Sequence, residues 1–66
     1  MRISVNGEDM TLASPCSVHG LLEQLDMAQQ PCAVEVNAEV IPKPRHADRT
    51  LSDGDTVEIV TLVGGG

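Results

Sequence analysis

The chain has 66 residues, a formal net charge of −6, and no Phe, Tyr or Trp. A chain of this length forms one small domain, and its core must come from aliphatic side chains. The negative charge and the absence of aromatic stacking platforms argue against nucleic-acid binding, and no apolar run approaches the ~20 residues that cross a membrane.

The N-terminal residues alternate between apolar and polar types, which predicts a β-hairpin. Ile3 and Val5 alternate with polar neighbours, and the alternation resumes at Met10. Asn6 and Gly7 form a favoured two-residue turn, because both residue types tolerate positive φ. A four-residue loop between the strands is the alternative.

A helix is predicted to begin near Val18, with Ser17 as its N-cap. Gly20 occupies the third helical position, where a Glu would complete a capping box, and it weakens the helix without abolishing it. Four apolar residues recur at the i, i+3, i+4, i+7 spacing and predict one buried stripe about three turns long. These residues are Val18, Leu21, Leu22 and Leu25.

Two further strands are predicted in the middle of the chain. Val34 and Val36 alternate with polar residues, and residues 40–41 form at most a short strand after them. Pro42 removes a backbone donor and ends that strand. Residues 43–52 are therefore predicted to form a loop along the edge of the sheet.

The closing strand is predicted over residues 56–63, which are rich in β-branched types. If Val57 faces the helix, strict alternation places Val60 and Leu62 on the outer face of the sheet. Two exposed aliphatic residues there predict a docking patch. A β-bulge that shifts the register is the alternative.

The sequence ends in Gly64, Gly65 and Gly66. Glycine lets the main chain approach another surface closely, so a carboxylate on such a tail can enter a narrow site. A frayed end or a linker is the alternative interpretation. We therefore divide the chain into a domain of residues 1–63 and a flexible tail of residues 64–66.

A metal or redox site built on Cys16, His19 and Cys32 is a third possibility. Cys16 and His19 supply two ligands, and Cys32 lies beyond the helix, so the spacing fits no known zinc site. Cys16 is expected to be packed rather than to be an activated thiolate. His19 is expected on the helix surface.

His46 lies beside Arg45 and Arg49 in the only basic cluster of the sequence. Such a cluster can contact an acidic partner, but simple solvation is the expected state of these side chains.

Four features together resemble the thiamine-pathway sulfur carriers of the ubiquitin-like β-grasp family. They are the hairpin, the Ser17-capped helix with LLEQL at 21–25, the run DGDTVEI at 53–59, and VGGG at 63–66. Gly20 departs from the acidic residue often found after the helix cap. The resemblance implies an α+β, ubiquitin-like β-grasp fold in ββαββ order, with a mixed sheet of four to five strands packed on one main helix.

The resemblance also implies a protein substrate rather than an enzyme. An adenylyltransferase related to ubiquitin-activating enzymes would use Mg-ATP to adenylate the Gly66 carboxylate. Sulfur from a cysteine desulfurase persulfide would displace AMP, and the Gly66 thiocarboxylate would donate sulfur to thiazole synthase. Gly64 and Gly65 would let the tail pass through a narrow channel. The residues expected to dock on these enzymes are Val60, Leu62 and Val63.

The chain itself is expected to bind no cofactor or metal, to act in the cytoplasm and to be monomeric when free. A sister carrier such as the small subunit of molybdopterin synthase is the closest alternative, because it shares the fold and the glycine-pair ending. A ubiquitin-like module that binds partners without covalent use of its tail is the alternative from a different class.

Overall fold

The computed structural model describes residues 1–62, and its first two strands form the predicted hairpin. Strand β1 is Arg2–Val5, strand β2 is Glu8–Thr11, and the two strands are antiparallel. Asn6 and Gly7 have φ values of 51° and 84°, as a two-residue turn requires. The alternative four-residue loop is wrong, because β2 begins directly after Gly7.

Helix α1 spans Val18–Gln24, and Ser17 caps it as predicted. The Ser17 Oγ accepts a hydrogen bond of 3.0 Å from the backbone N–H of Gly20. A Cβ at position 20 would lie 3.2 Å from the Cβ of Cys16. Glycine at this position therefore avoids a crowded contact, which gives a structural reason for the missing capping-box Glu.

The helix is shorter than the three turns that the apolar stripe predicted. It has 7 residues, and Leu25 is its C-cap. Asp26 adopts a φ of 60° and donates its backbone N–H to the Glu23 carbonyl, while Met27 donates to the Leu22 carbonyl. This pair of bonds is the Schellman arrangement that ends helices. No helix in residues 1–62 is long and apolar enough to cross a bilayer.

Strands β3 (Cys32–Val36) and β4 (Glu39–Ile41) form a second antiparallel hairpin. Asn37 and Ala38 make its turn with φ values of 52° and 69°. An L-residue with a Cβ is disfavoured in this left-handed region, and Ala lacks the polar side chain that helps Asn tolerate it. Ala38 is therefore a strained position in the turn.

The segment between β4 and the last strand is more than the predicted edge loop. It contains a short 3-10 helix, Lys43–Arg45, and then packs on the start of α1. The backbone N–H of Val18 donates to the Arg49 carbonyl, and that of Leu51 donates to the Cys16 carbonyl, each at 2.9 Å. The side chain of Leu51 is buried, so this segment adds an apolar residue to the core.

Strand β5, Thr56–Thr61, lies at the centre of the sheet in residues 1–62. The strand order is β2-β1-β5-β3-β4, with β5 parallel to β1 and antiparallel to β3. The strand ends at Thr61 rather than continuing to residue 63 as predicted. The sheet is mixed and has five strands in residues 1–62, as expected for the fold, and three strands follow the helix rather than the two of the predicted ββαββ order.

The hydrophobic core lies between α1 and one face of this sheet. The helix contributes Val18, Leu21 and Leu22. The remaining core residues come from the strands and loops, and they are Ile3, Leu12, Val34, Val36, Ile41, Leu51, Val57 and Ile59. Aliphatic side chains thus fill the core, as the absence of aromatic residues requires.

Candidate functional site

The outer face of the sheet carries exposed aliphatic residues close to the start of the tail. On β5, Val57 is fully buried against the helix, whereas Val60 is 59% exposed. Leu62, directly after the strand, is 51% exposed. The sequence-based prediction that Val60 and Leu62 face outward is therefore confirmed.

A β-bulge does not explain this exposure. The pairing of β3 with β5 runs without interruption from Val36 opposite Val57 to Cys32 opposite Thr61. Because side chains alternate strictly along an unbroken strand, Val60 must lie on the face away from the helix. The alternative of a shifted register is wrong.

Val40 extends the exposed apolar surface across the sheet. It is 63% exposed on β4 and lies opposite Glu35 of β3, so it shares the outer face with Val60. The sequence pattern predicts a strand at Val40 but does not assign its side chain to a face. We name Val40, Val60 and Leu62 the apolar patch.

Both hairpin turns hold β5 in place through an asparagine side chain. The Asn6 side-chain amide accepts from the Ile59 N–H at 2.8 Å and donates to the Ile59 carbonyl at 3.2 Å. Asn37 Oδ1 accepts from the Thr56 N–H at 2.9 Å, and its Nδ2 donates to the Asp55 carboxylate at 3.0 Å. Sequence reasoning identified Asn6 as a turn residue but missed this second role.

The main chain that leads to the tail is hydrogen-bonded up to its last described residue. The Leu62 N–H donates to the Pro31 carbonyl at 2.9 Å. The predicted contact residue Val63 and the predicted tail residues Gly64, Gly65 and Gly66 lie outside the described residues. Their roles stay predictions.

Cys16 behaves as a packed thiol. Burial raises the pKa of the Cys16 thiol above its ordinary value, which favours the neutral form. A neutral thiol is a weak nucleophile and a weak metal ligand, so the interpretation of Cys16 as an activated thiolate has no support.

The two histidines differ in exposure. His19 lies on the helix surface as predicted, and its Nε2 is 3.8 Å from the Glu23 carboxylate. The expectation of a solvated His46 is wrong, because its side chain is only 7% exposed and its Nε2 lies 2.9 Å from the Ile41 carbonyl. A carbonyl only accepts, so this nitrogen carries a proton. The short helix after β4 turns the ring back onto the sheet.

The three residues considered for a metal or redox site do not come together. His19 and Cys32 line one small cleft with His46, but Cys16 is not among its lining residues. Among residues 1–62, no group of three or more His, Cys, Asp or Glu residues is arranged to hold a metal ion. The described part of the chain thus offers an apolar patch and a strand that leads to the tail.

A family model described as the ThiS family matches residues 3–66. The sulfur carrier protein ThiS of Escherichia coli K12 is 35% identical over 66 residues, and the alignment covers 100% of both chains. The crystal structure of a thiamine biosynthesis protein (ThiS) from Geobacter metallireducens superposes with a TM-score of 0.85 at 36% identity, again over 100% of both chains. The ubiquitin-like β-grasp fold is therefore confirmed.

A thiazole synthase of Paramagnetospirillum magneticum is 38% identical over 66 residues. The alignment covers 100% of this chain, and the chain spans 20% of the length of that protein. A region similar to this chain thus occurs within a protein named for thiazole synthesis.

Proposed function

The chain belongs to the ThiS family, and from this membership we infer that it is a sulfur carrier protein of thiamine biosynthesis. It is a substrate of other enzymes rather than an enzyme. The strongest support is the similarity to the E. coli sulfur carrier, which extends over the full length of both chains.

The first step of the proposed cycle activates the carboxylate of Gly66. A carboxylate is a poor acyl donor because oxide is a very poor leaving group. We propose that a carboxylate oxygen of Gly66 attacks the α-phosphorus of Mg-ATP in an adenylyltransferase related to ubiquitin-activating enzymes. Pyrophosphate leaves, and the acyl adenylate that forms has AMP as its leaving group.

The second step replaces AMP with sulfur. The terminal sulfur of a persulfide, formed by a cysteine desulfurase, attacks the Gly66 carbonyl carbon and expels AMP. The product is an acyl disulfide, because the transferred sulfur stays bonded to the sulfur that carried it. A thiol reductant then cleaves that S–S bond, which leaves the Gly66 thiocarboxylate and a new disulfide.

The acceptor that we propose for this sulfur is thiazole synthase. The similarity of the chain to part of a thiazole synthase supports this choice. Val60 and Leu62 of the apolar patch, together with Val63, are the proposed contact residues on the partner enzymes. Gly64 and Gly65 have no side chains, so the tail can enter a narrow active-site channel.

We place this chemistry in the cytoplasm. Cys16 and Cys32 are both free thiols in the described residues, and free thiols persist in a reducing compartment.

Intact-mass spectrometry tests the proposed function. The purified chain is incubated with the adenylyltransferase, Mg-ATP, a persulfide donor and a thiol. We expect the mass to rise by the difference between one sulfur and one oxygen atom, and tandem fragmentation to place this change at Gly66.

The matched controls alter only the tail. Gly66→Ala, and a variant with one residue added after Gly66, change the reacting end and leave residues 1–62 untouched. We expect both to lose thiocarboxylate formation. Full conversion of either variant would show that the tail mechanism is wrong.

A further inference from the structure

On the basis of the proposed function, we propose that Glu35 and Glu58 receive a Lys or Arg side chain of the adenylyltransferase. The two residues lie directly opposite each other on β3 and β5. Glu58 lies between the buried Val57 and Ile59, so it faces outward on the same side as Val60. We name Glu35 and Glu58 the carboxylate pair.

The carboxylate pair places two like charges directly opposite each other on adjacent strands. Like charges directly opposite each other on adjacent strands are destabilising. Among residues 1–62, no Lys or Arg nitrogen lies within 4.0 Å of either carboxylate, and the His19–Glu23 contact involves neither of them. A cation from a partner would remove this repulsion when the complex forms.

Apolar neighbours border the carboxylate pair. Val40 lies opposite Glu35 on β4, and Val60 follows two residues after Glu58 along β5. Lys and Arg have apolar stems and charged heads. A single side chain of this kind can therefore pack its stem on the valines and place its charge against the carboxylate pair. An acidic or phosphate-bearing partner would instead add to the repulsion.

The position of Glu58 on β5 gives the carboxylate pair a role in orienting the tail. Glu58 and Leu62 are four residues apart, which is about 13 Å of extended chain at the usual rise per residue. An ion pair at Glu58 thus fixes the sheet on the enzyme close to the point where the tail leaves the domain.

Glu58→Lys separates this role from a purely structural one, because its two expected effects are opposite in sign. In the free chain it replaces a repulsive cross-strand pair with an attractive one, so the urea midpoint should rise by about 0.3 M. In pyrophosphate release with the adenylyltransferase and Mg-ATP, kcat/KM should fall about tenfold, mainly through KM. Glu58→Gln, the milder variant, should show a smaller loss and a weaker salt dependence of KM than the wild type.

Glu8→Lys is the matched control, because it makes the same charge change at an exposed position opposite Val5 on β2. We expect it to change kcat/KM by less than about twofold. An equal loss in Glu8→Lys would overturn the proposal, since general charge steering would then explain both results. Unchanged kinetics in Glu58→Lys would overturn it as well, whereas failure of the wild-type chain to release pyrophosphate would contradict the proposed function itself.

Discussion

Val57 and Val60 are the same residue type on the same strand, but they lie on opposite faces of the sheet. Val57 has no exposed surface, whereas Val60 is 59% exposed. Full burial of a valine side chain contributes about 1.5 to 3 kcal/mol to stability, and an exposed valine makes little of that contribution. The helix-facing side of the sheet therefore stabilises the domain, and the outer side is available for recognition.

The largest expected effect is the loss of stability on truncation of the helix-facing valine. Val57→Ala should lower the free energy of unfolding by about 2 kcal/mol, because it leaves a cavity in a fully packed core. Val60→Ala on the same strand should change it by less than about 0.5 kcal/mol. Urea denaturation measures both, and equal losses would contradict the assignment of the two faces.

The next effect concerns binding rather than stability. Val60→Asp places a charge in the apolar patch, and the kcat/KM of adenylation should fall at least about tenfold, through loss of a desolvated contact. Because Val60 is 59% exposed, the free energy of unfolding should fall by no more than about 0.5 kcal/mol, part of it from the new charge near Glu58. Normal adenylation of this variant would show that the outer face near Val60 is not a contact surface.

Ala38→Gly changes the stability of the domain without altering either face of the sheet, because Ala38 lies in the turn between β3 and β4. The left-handed φ of 69° disfavours Ala but suits Gly, so the free energy of unfolding should rise by about 0.5 to 1 kcal/mol. Asn6 and Gly7 already provide this residue pair in the first hairpin.

Double variants that combine Ala38→Gly with Val57→Ala or with Val60→Asp distinguish the roles of the two faces. Ala38→Gly should recover part of the stability lost in Val57→Ala, as measured by thermal or urea unfolding. It should recover none of the activity lost in Val60→Asp. Recovery of that activity would mean that Val60→Asp acts by unfolding the domain.

The smallest effect is a pH dependence of stability that arises from the Cys16 thiol on the helix side of the sheet. Burial raises the pKa of the Cys16 thiol above its ordinary value of 9.0, so the unfolded chain loses this proton at a lower pH than the folded chain. The stability from the neutral thiol is present below the ordinary pKa and is lost as pH rises through the folded-state pKa. Urea midpoints at several alkaline pH values should fall more steeply for the wild type than for Cys16→Ala. Parallel curves would contradict this role of burial.

Local sequence patterns were sufficient to predict the strands, the start of the helix and the outer-face position of Val60. Alternation placed Val60 correctly, and the cap at Ser17 gave the start of the helix. These predictions depend on interactions between residues close in sequence, where periodicity and capping are strongest.

The missed features depend on contacts between distant residues. Leu51 enters the core and His46 becomes buried because residues 43–52 pack on the start of α1 and the end of β4. The bonds from Asn6 to Ile59 likewise join residues from opposite ends of the chain. No local pattern signals such contacts, so the polar residues 43–52 with Pro44 predict only a simple loop.

The most direct test of the central claim is the intact mass of the chain purified from its native cells under thiamine starvation. We expect a population in which one oxygen of Gly66 is replaced by sulfur, and a return to the carboxylate when thiamine is supplied. An unmodified carboxylate under every growth condition would contradict the assignment as a sulfur carrier and would favour a module that binds its partners without covalent chemistry.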